Sequence, residues 1–233
     1  MNAIATFFND FGHQMLISTQ EHVILTVVAM LIATATAVPL GIILSRCRFK
    51  MVVSAVLGAV NIVQPIPSLA LVAFTLALFI WLNNIIVAVH LPVIGMLPGL
   101  VALVAYALLP ILRNTYTGVK QVDPTVIEVA TGMGMTKRQI LFSVELPLAL
   151  PFIMAGIRIA TVWTIGVATL VSLVGAGGLG DLVFKGLSNY RIALIFAGAA
   201  PAAALALLCD WVLGIVEKWL SPSGVQEPQS GGV

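Results

Sequence analysis

Charge is scarce in this sequence. Lysine and arginine together number 11 and aspartate and glutamate 9 in 233 residues, whereas a soluble globular domain carries charge at about a quarter of its positions. A soluble fold is therefore excluded. Cysteine is scarcer still: Cys47 and Cys209 stand alone, too few for a disulfide-stapled secreted fold, and their position near the expected cytoplasmic face makes packing the preferred role. His13, His22 and His90 are scattered without ligand spacing, so no metal site is expected. No lysine or arginine precedes Arg46, which leaves no basic n-region for a cleavable signal peptide; the first span is expected to act as the insertion signal. The chain has no phosphate loop and no catalytic constellation, so it is expected neither to be an enzyme nor to bind a cofactor itself. The small net charge of +2 says little about partners, since the sidedness of the charges matters more than their sum; no nucleic-acid partner is expected.

What is present is apolar sequence: 60% of residues are hydrophobic and the mean hydropathy is +1.11. Several runs approach or exceed the roughly 18 to 20 residues needed to cross lipid as a helix, and short alternating barrel strands are missing. The fold class expected is an all-α integral membrane protein with about five spans, near Val23–Leu44, Ser68–Leu82, Ile94–Leu112, Ala149–Val171 and Ile192–Val216. Between the first two, Met51 to Leu82 is too long for one straight helix and is broken by Gln64, Pro65 and Pro67, so a short helix, a bend and a span are expected.

Charge sidedness tests the count. Five spans place Arg46, Arg48 and Lys50, then Arg113, Lys120, Lys137 and Arg138, and finally Lys218 on one side, the cytoplasmic one, with Lys185 and Arg191 opposite. Splitting Met51–Leu82 into two spans would break this pattern. The expected topology is N-terminus out and C-terminus in, with lipid around the bundle. Trp81, Tyr116, Tyr190 and Trp219 then fall near the interfaces. Residues 1–22 form an extracytoplasmic segment whose Phe7, Phe8, Phe11 and Met15 suit either a surface amphipathic helix or a frayed end. Residues 23–218 form the membrane domain, and the Pro/Gly-rich tail 219–233 is expected to be disordered.

One polar segment interrupts this pattern. In residues 123–147, Asp123-Pro124 is a helix start: the carboxylate accepts from first-turn amides, and proline at the first helical position loses no hydrogen bond. A helix is expected from Pro124 to Thr131, ended by Gly132 and Gly134. Thr136 with Gln139 has capping-box spacing, predicting a second short helix from Lys137 toward Glu145 before Pro147 and Pro151. The tip, Thr131 to Arg138, joins Met133 and Met135 to Lys137 and Arg138, a composition suited to a groove on a soluble partner.

These residues carry a family resemblance. Glu128-Val129-Ala130, Gly134, Val144, Leu146 and Pro147 resemble, with intact spacing, the EAA motif of permease subunits of bacterial ABC importers; Val129 and Val144 depart from it conservatively. The resemblance implies that Glu128, Ala130, Thr131, Gly132, Met133, Gly134, Met135, Lys137 and Arg138 meet a cytoplasmic ABC ATPase subunit, which would bind ATP and magnesium. Glu128 would either hold the motif together or meet a cation of the ATPase. Pro65–Leu71, Ala107–Thr115 and Gly175–Gly180 resemble the glycine betaine, carnitine and choline permeases within the methionine-permease-like fold, and the glycine block also resembles methionine permeases. The implied protein is an osmoprotectant permease of the bacterial cytoplasmic membrane, with a separate extracytoplasmic binding protein and a second permease subunit, identical or paralogous. An amino-acid or methionine importer is the alternative within the class, and a secondary transporter the alternative outside it.

The remaining candidates lie in or beside spans. Gly175-Ala176-Gly177-Gly178-Leu179-Gly180 matches a dinucleotide fingerprint in letters only, since it follows a span rather than a strand. A packed turn is favoured there, with a gate or small-residue helix contact as the other uses of Gly175, Gly177, Gly178 and Gly180. Arg158 and Asp210 lie at similar depth and either pair or leave Arg158 to reach the interface independently. Asn61, Gln64, Thr161, Thr164 and Ser172 suit a path or, more commonly, structural hydrogen bonds. Pro65, Pro67 and Ser68 at the bend join the pathway candidates, as does Trp163, whose ring could face a quaternary ammonium.

Overall fold

The computed structural model describes residues 2–63, 65–86 and 91–220, without the side chains of 2–6 and 8–10. Gln64, His90 and the tail from 221 onward lie outside the described residues. The described residues form the helices α1 (Asn2–Arg46), α2 (Lys50–Asn61), α3 (Ser68–Ile85), α4 (Met96–Lys120), α5 (Pro124–Gly132), α6 (Lys137–Ile140), α7 (Leu146–Ala168), α8 (Leu179–Ser188) and α9 (Ile192–Leu220), joined by turns. Five helical stretches are long and apolar enough to span a membrane: Phe11–Arg46, Ser68–Ile85, Met96–Lys120, Lys137–Ala168 and Ile192–Leu220.

The bend behaves as proline chemistry requires. Residues 62–63 and 65–67 leave the helix, α3 starts at Ser68 directly after Pro67, and the Tyr106 hydroxyl of α4 donates to the Ile66 carbonyl at 3.2 Å. Other boundaries differ from expectation. α1 has no break at Val23; its 45 residues form one helix of roughly 68 Å, more than twice the ~30 Å hydrocarbon thickness. No proline interrupts it before Pro39. Its first turns are docked rather than frayed or laid on a surface, because Phe7, Phe11 and Met15 pack against a cluster of Leu179, Leu182, Leu194, Ala197 and Ala202. α4 runs past Arg113 to Lys120.

The second short helix is also not a separate element. α6 passes through a π turn, Leu141–Glu145, straight into α7. The Leu146 amide donates to the Leu141 carbonyl, one residue further back than in an α-helix. That wider turn stands immediately before Pro147, whose ring would crowd an α-helical carbonyl and whose nitrogen carries no hydrogen. The prolines are thus absorbed within one long helix instead of separating two.

α1, α4 and α7 form the centre, α9 flanks α7, α8 packs on α9, and α2 and α3 lie against α4. The central seam is tight: a Cβ on Gly118 would lie 2.6 Å from the Phe152 Cβ, and one on Gly156 would lie 2.7 Å from the Asn114 Cβ. Small residues let α4 and α7 approach closely, the usual basis of helix association in lipid, where the apolar effect between helices is weak. Leu103, Ile111, Leu112 and Ile165 are fully buried along these seams.

Candidate functional site

Residues 123–147 form an exposed projection at the end of the bundle where α4 finishes and α7 begins. Asp123 caps α5 by accepting the Thr125 amide at 2.8 Å, and this bond holds its carboxyl below the usual range. Gly132 remains helical and Gly134 alone turns the chain, with φ +82°. Two bonds close the turn: the Gly134 amide donates to the Thr131 carbonyl at 2.9 Å and the Met135 amide to the Ala130 carbonyl at 3.1 Å. This is a Schellman cap, which needs a left-handed residue at the glycine position. The capping box then starts α6, with the Thr136 amide donating to Gln139 Oε1 at 2.8 Å and the Gln139 amide to Thr136 Oγ1 at 3.4 Å.

This backbone displays a mixed face. Val129 is 59% and Met133 77% exposed, beside exposed Glu128, Thr131, Lys137 and Arg138. Ala130 is buried and Met135 half-buried, so these two support the projection from inside. Glu128 makes no hydrogen bond or ion pair within the described residues.

Two ion-pair groups tie the helices near this end. Arg158 on α7 meets Asp210 Oδ1 on α9, its Nη2 at 3.0 Å and its Nε at 3.1 Å, and its Nη1 donates to Glu217 Oε2 at 2.8 Å. The group is therefore a triad. Glu217 follows Asp210 by seven residues, two turns along one helix face, a spacing from which the sequence could have supplied it. Arg46 at the end of α1 pairs with the buried carboxylate of Glu145, inside the motif carrying Val144, Leu146 and Pro147. No local sequence signal joins residues so far apart.

The glycine block at the opposite end is a turn built by close approach. Gly175, Gly177 and Gly178 have φ of +78°, +80° and +91°. The Gly178 amide donates to Glu21 Oε2 of α1 at 2.9 Å. A Cβ on Gly180 would lie 1.9 Å from the Thr169 carbonyl oxygen. The turn launches α8, a helix missing from the expectations above, though the amphipathic pattern of Leu179–Ser188 could have signalled it. In α8, burial pushes the Asp181 carboxyl up, Lys185 partly offsets this, and Glu21 adds to it. His22 next to Glu21 is fully buried, with Nε2 3.1 Å from the Ile165 carbonyl oxygen.

The pathway candidates separate. Trp163 is 43% exposed and lies between two cavities. One, about 370 Å³, includes Ala155, Arg158, Val162 and Asp210; the other, about 460 Å³, includes Pro110, Arg113, Asn114 and Thr117. Pro65, Pro67 and Ser68 at the α2–α3 bend line neither of these cavities. Thr161 and Ser172 donate to carbonyls of their own neighbouring turns, Ile157 and Thr169, both at 2.8 Å.

Residues 37–223 match the family described as the binding-protein-dependent transport system inner membrane component. The chain belongs to that family. As an inner membrane component it is a non-catalytic transport subunit of five spans. Among similar proteins, the carnitine transport permease protein OpuCB of Listeria monocytogenes is 44% identical, with all of both chains covered. The glycine betaine/carnitine/choline transport system permease protein OpuCB of Bacillus subtilis is 43% identical over 97% of each chain. An inward-facing structure of the MetNI methionine ABC transporter has the same fold, with a TM-score of 0.76 and 22% identity over 90% of this chain and 97% of that one.

Proposed function

We propose that this inner membrane component carries glycine betaine or related quaternary amines, powered by ATP hydrolysis in separate cytoplasmic ATPase subunits that dock on residues 123–147. The observation that carries the docking assignment is the exposed α5–α6 projection, whose Val129, Met133 and Glu128 stand exposed, Glu128 with no hydrogen bond or ion pair among the described residues. The substrate class is supported by full-length similarity of 42–44% to permeases named for carnitine, choline and glycine betaine. The membrane end bearing this projection is cytoplasmic, and the N-terminus of α1 is extracytoplasmic, as positive-inside charge placement favours.

The open α4–α7 face around Trp163 meets a second permease subunit and borders the path. An extracytoplasmic binding protein delivers substrate at the glycine-turn end. ATP closes the ATPase dimer, which binds ATP and magnesium, and α5–α6 carries that motion directly into α7 because no break separates them. High-affinity recognition belongs to the binding protein, since among the described residues no second aromatic ring lines the cavities beside Trp163.

The test is reconstitution of the chain with its ATPase, second permease subunit and binding protein in vesicles, with labelled glycine betaine, carnitine and choline outside. ATP-dependent uptake that requires all components is expected; uptake by the chain alone on an ion gradient overturns the reading, and ATP-dependent uptake of methionine instead overturns the substrate assignment. In the same vesicles Glu128→Lys is expected to lower uptake by tenfold or more while leaving the amount of folded chain unchanged, because an exposed charge is reversed at the docking face. A drop in folded chain would assign Glu128 to holding the segment together.

A further inference from the structure

We propose that the cleft where α1 ends, α2 begins and α4 ends binds the phosphate-bearing headgroup of an anionic membrane lipid. The cleft encloses about 580 Å³ and is lined by Arg46, Arg48, Lys50 and Lys120, with Tyr116 and Ser54 adding hydroxyls. Among the described residues one carboxylate pairs with any of these four cations: Glu145, which Arg46 engages. Arg48, Lys50 and Lys120 take part in none of the ion pairs of the described residues. Three uncompensated cations around one cavity create a field that an anion lowers, and a phosphate presents several acceptor oxygens to such a group at once.

The cleft's flank identifies the source of the anion. Phe49 is 73% and Met51 85% exposed, on either side of Lys50 in the chain where α2 begins. α2 lies at the rim of the bundle, with an unsupported apolar side and an N-terminus that no side chain caps. A soluble anion would use the cations and leave this apolar shoulder in water. A lipid uses both, its headgroup in the cleft and its acyl chains along Phe49, Met51 and α2, as interfacial helices do. Each cation near an anionic bilayer surface raises affinity roughly fivefold, so three acting together favour an anionic over a zwitterionic headgroup strongly.

The proposal does not depend on the transported substrate. It is tested by native mass spectrometry of the full chain released from nanodiscs containing equal phosphatidylglycerol and phosphatidylcholine. Wild-type chain is expected to retain phosphatidylglycerol preferentially, and R48Q/K50Q/K120Q to lose that preference by at least about tenfold. K137Q/R138Q, which removes two cations outside the cleft, is expected to change it less than about twofold, and R48K to keep it. Unchanged retention in the triple variant overturns the proposal, as does an equal loss in K137Q/R138Q, which would show only a general surface attraction. Displacement of the lipid by excess inorganic phosphate overturns the lipid in favour of a free phosphate. If, in the complex reconstituted with the ATPase subunits, the triple variant loses those subunits while keeping the lipid, the cleft is a protein contact and the proposal fails.

Discussion

Replacing Arg158 with leucine is expected to destabilise the chain by about 2–4 kcal/mol, read as loss of monodisperse protein on mild heating in detergent, with transport lost alongside. The change strips the cation from Asp210 and Glu217 together. Removing one side of a buried ion pair costs about 3–5 kcal/mol, and the 33% exposure of the Arg158 side chain lowers that figure. The depth of the group works the other way. Asp210 lies roughly 15 Å along the axis from the end of α9 at 1.5 Å per residue, inside a helix long and apolar enough to cross a membrane, and an unpaired carboxylate in such a span is costly. Asp210→Asn should be milder, because Glu217 still holds Arg158 at 2.8 Å. A triad also predicts the outcome of a charge swap: Arg158→Asp with Asp210→Arg restores one contact but sets the new aspartate against Glu217, so recovery should be partial. Adding Glu217→Gln to the swap should complete it. Full recovery by the two-residue swap alone would show that Glu217 contributes nothing.

The legible parts of the molecule are those governed by local chemistry. Asp123-Pro124 and Thr136-Gln139 start helices because each cap is completed within a few residues, and Gly134 turns the chain because the cap demands a left-handed residue there. Pro65 and Pro67 similarly mark the bend before α3. The continuation of α6 into α7 was not legible, since the local rule that proline ends a helix was met by a π turn before Pro147. Hydropathy placed the five spans but not their ends: α1 extends to Asn2 because its first turns pack half-buried Phe7 and Phe11 against α8 and α9, a contact made across the fold. Arg46 with Glu145, and Glu21 with Gly178, are likewise products of tertiary approach. In the candidate site, the coupling segment could be read from spacing, whereas the cleft of cations around Tyr116 required α1, α2 and α4 to be brought together.

Gly180→Val should give the second large effect, a loss of about 3 kcal/mol or more in folding, and even Gly180→Ala should cost a substantial part of it. The first added carbon would stand 1.9 Å from the Thr169 carbonyl oxygen and 2.4 Å from Ser172 Oγ. Overpacking a core costs typically 1–3 kcal/mol when side chains can yield; here the obstruction is backbone, so α8 must move as a unit. That movement would pull Leu179 and Leu182, both fully buried, from their cluster with Leu194, Ala197 and the first turns of α1. Gly166→Ala is the control, because a Cβ there meets nothing within 4 Å and alanine favours helix over glycine by about 1 kcal/mol. The pair of measurements separates the two uses of the Gly175–Gly180 block. If Gly180→Ala lowers thermal stability and transport together while Gly166→Ala lowers neither, the block is a packed turn that fixes α8 against α1. If Gly180→Ala leaves stability intact and abolishes uptake, the turn must move during transport, and the contact between Gly178 and Glu21 becomes the latch of a gate.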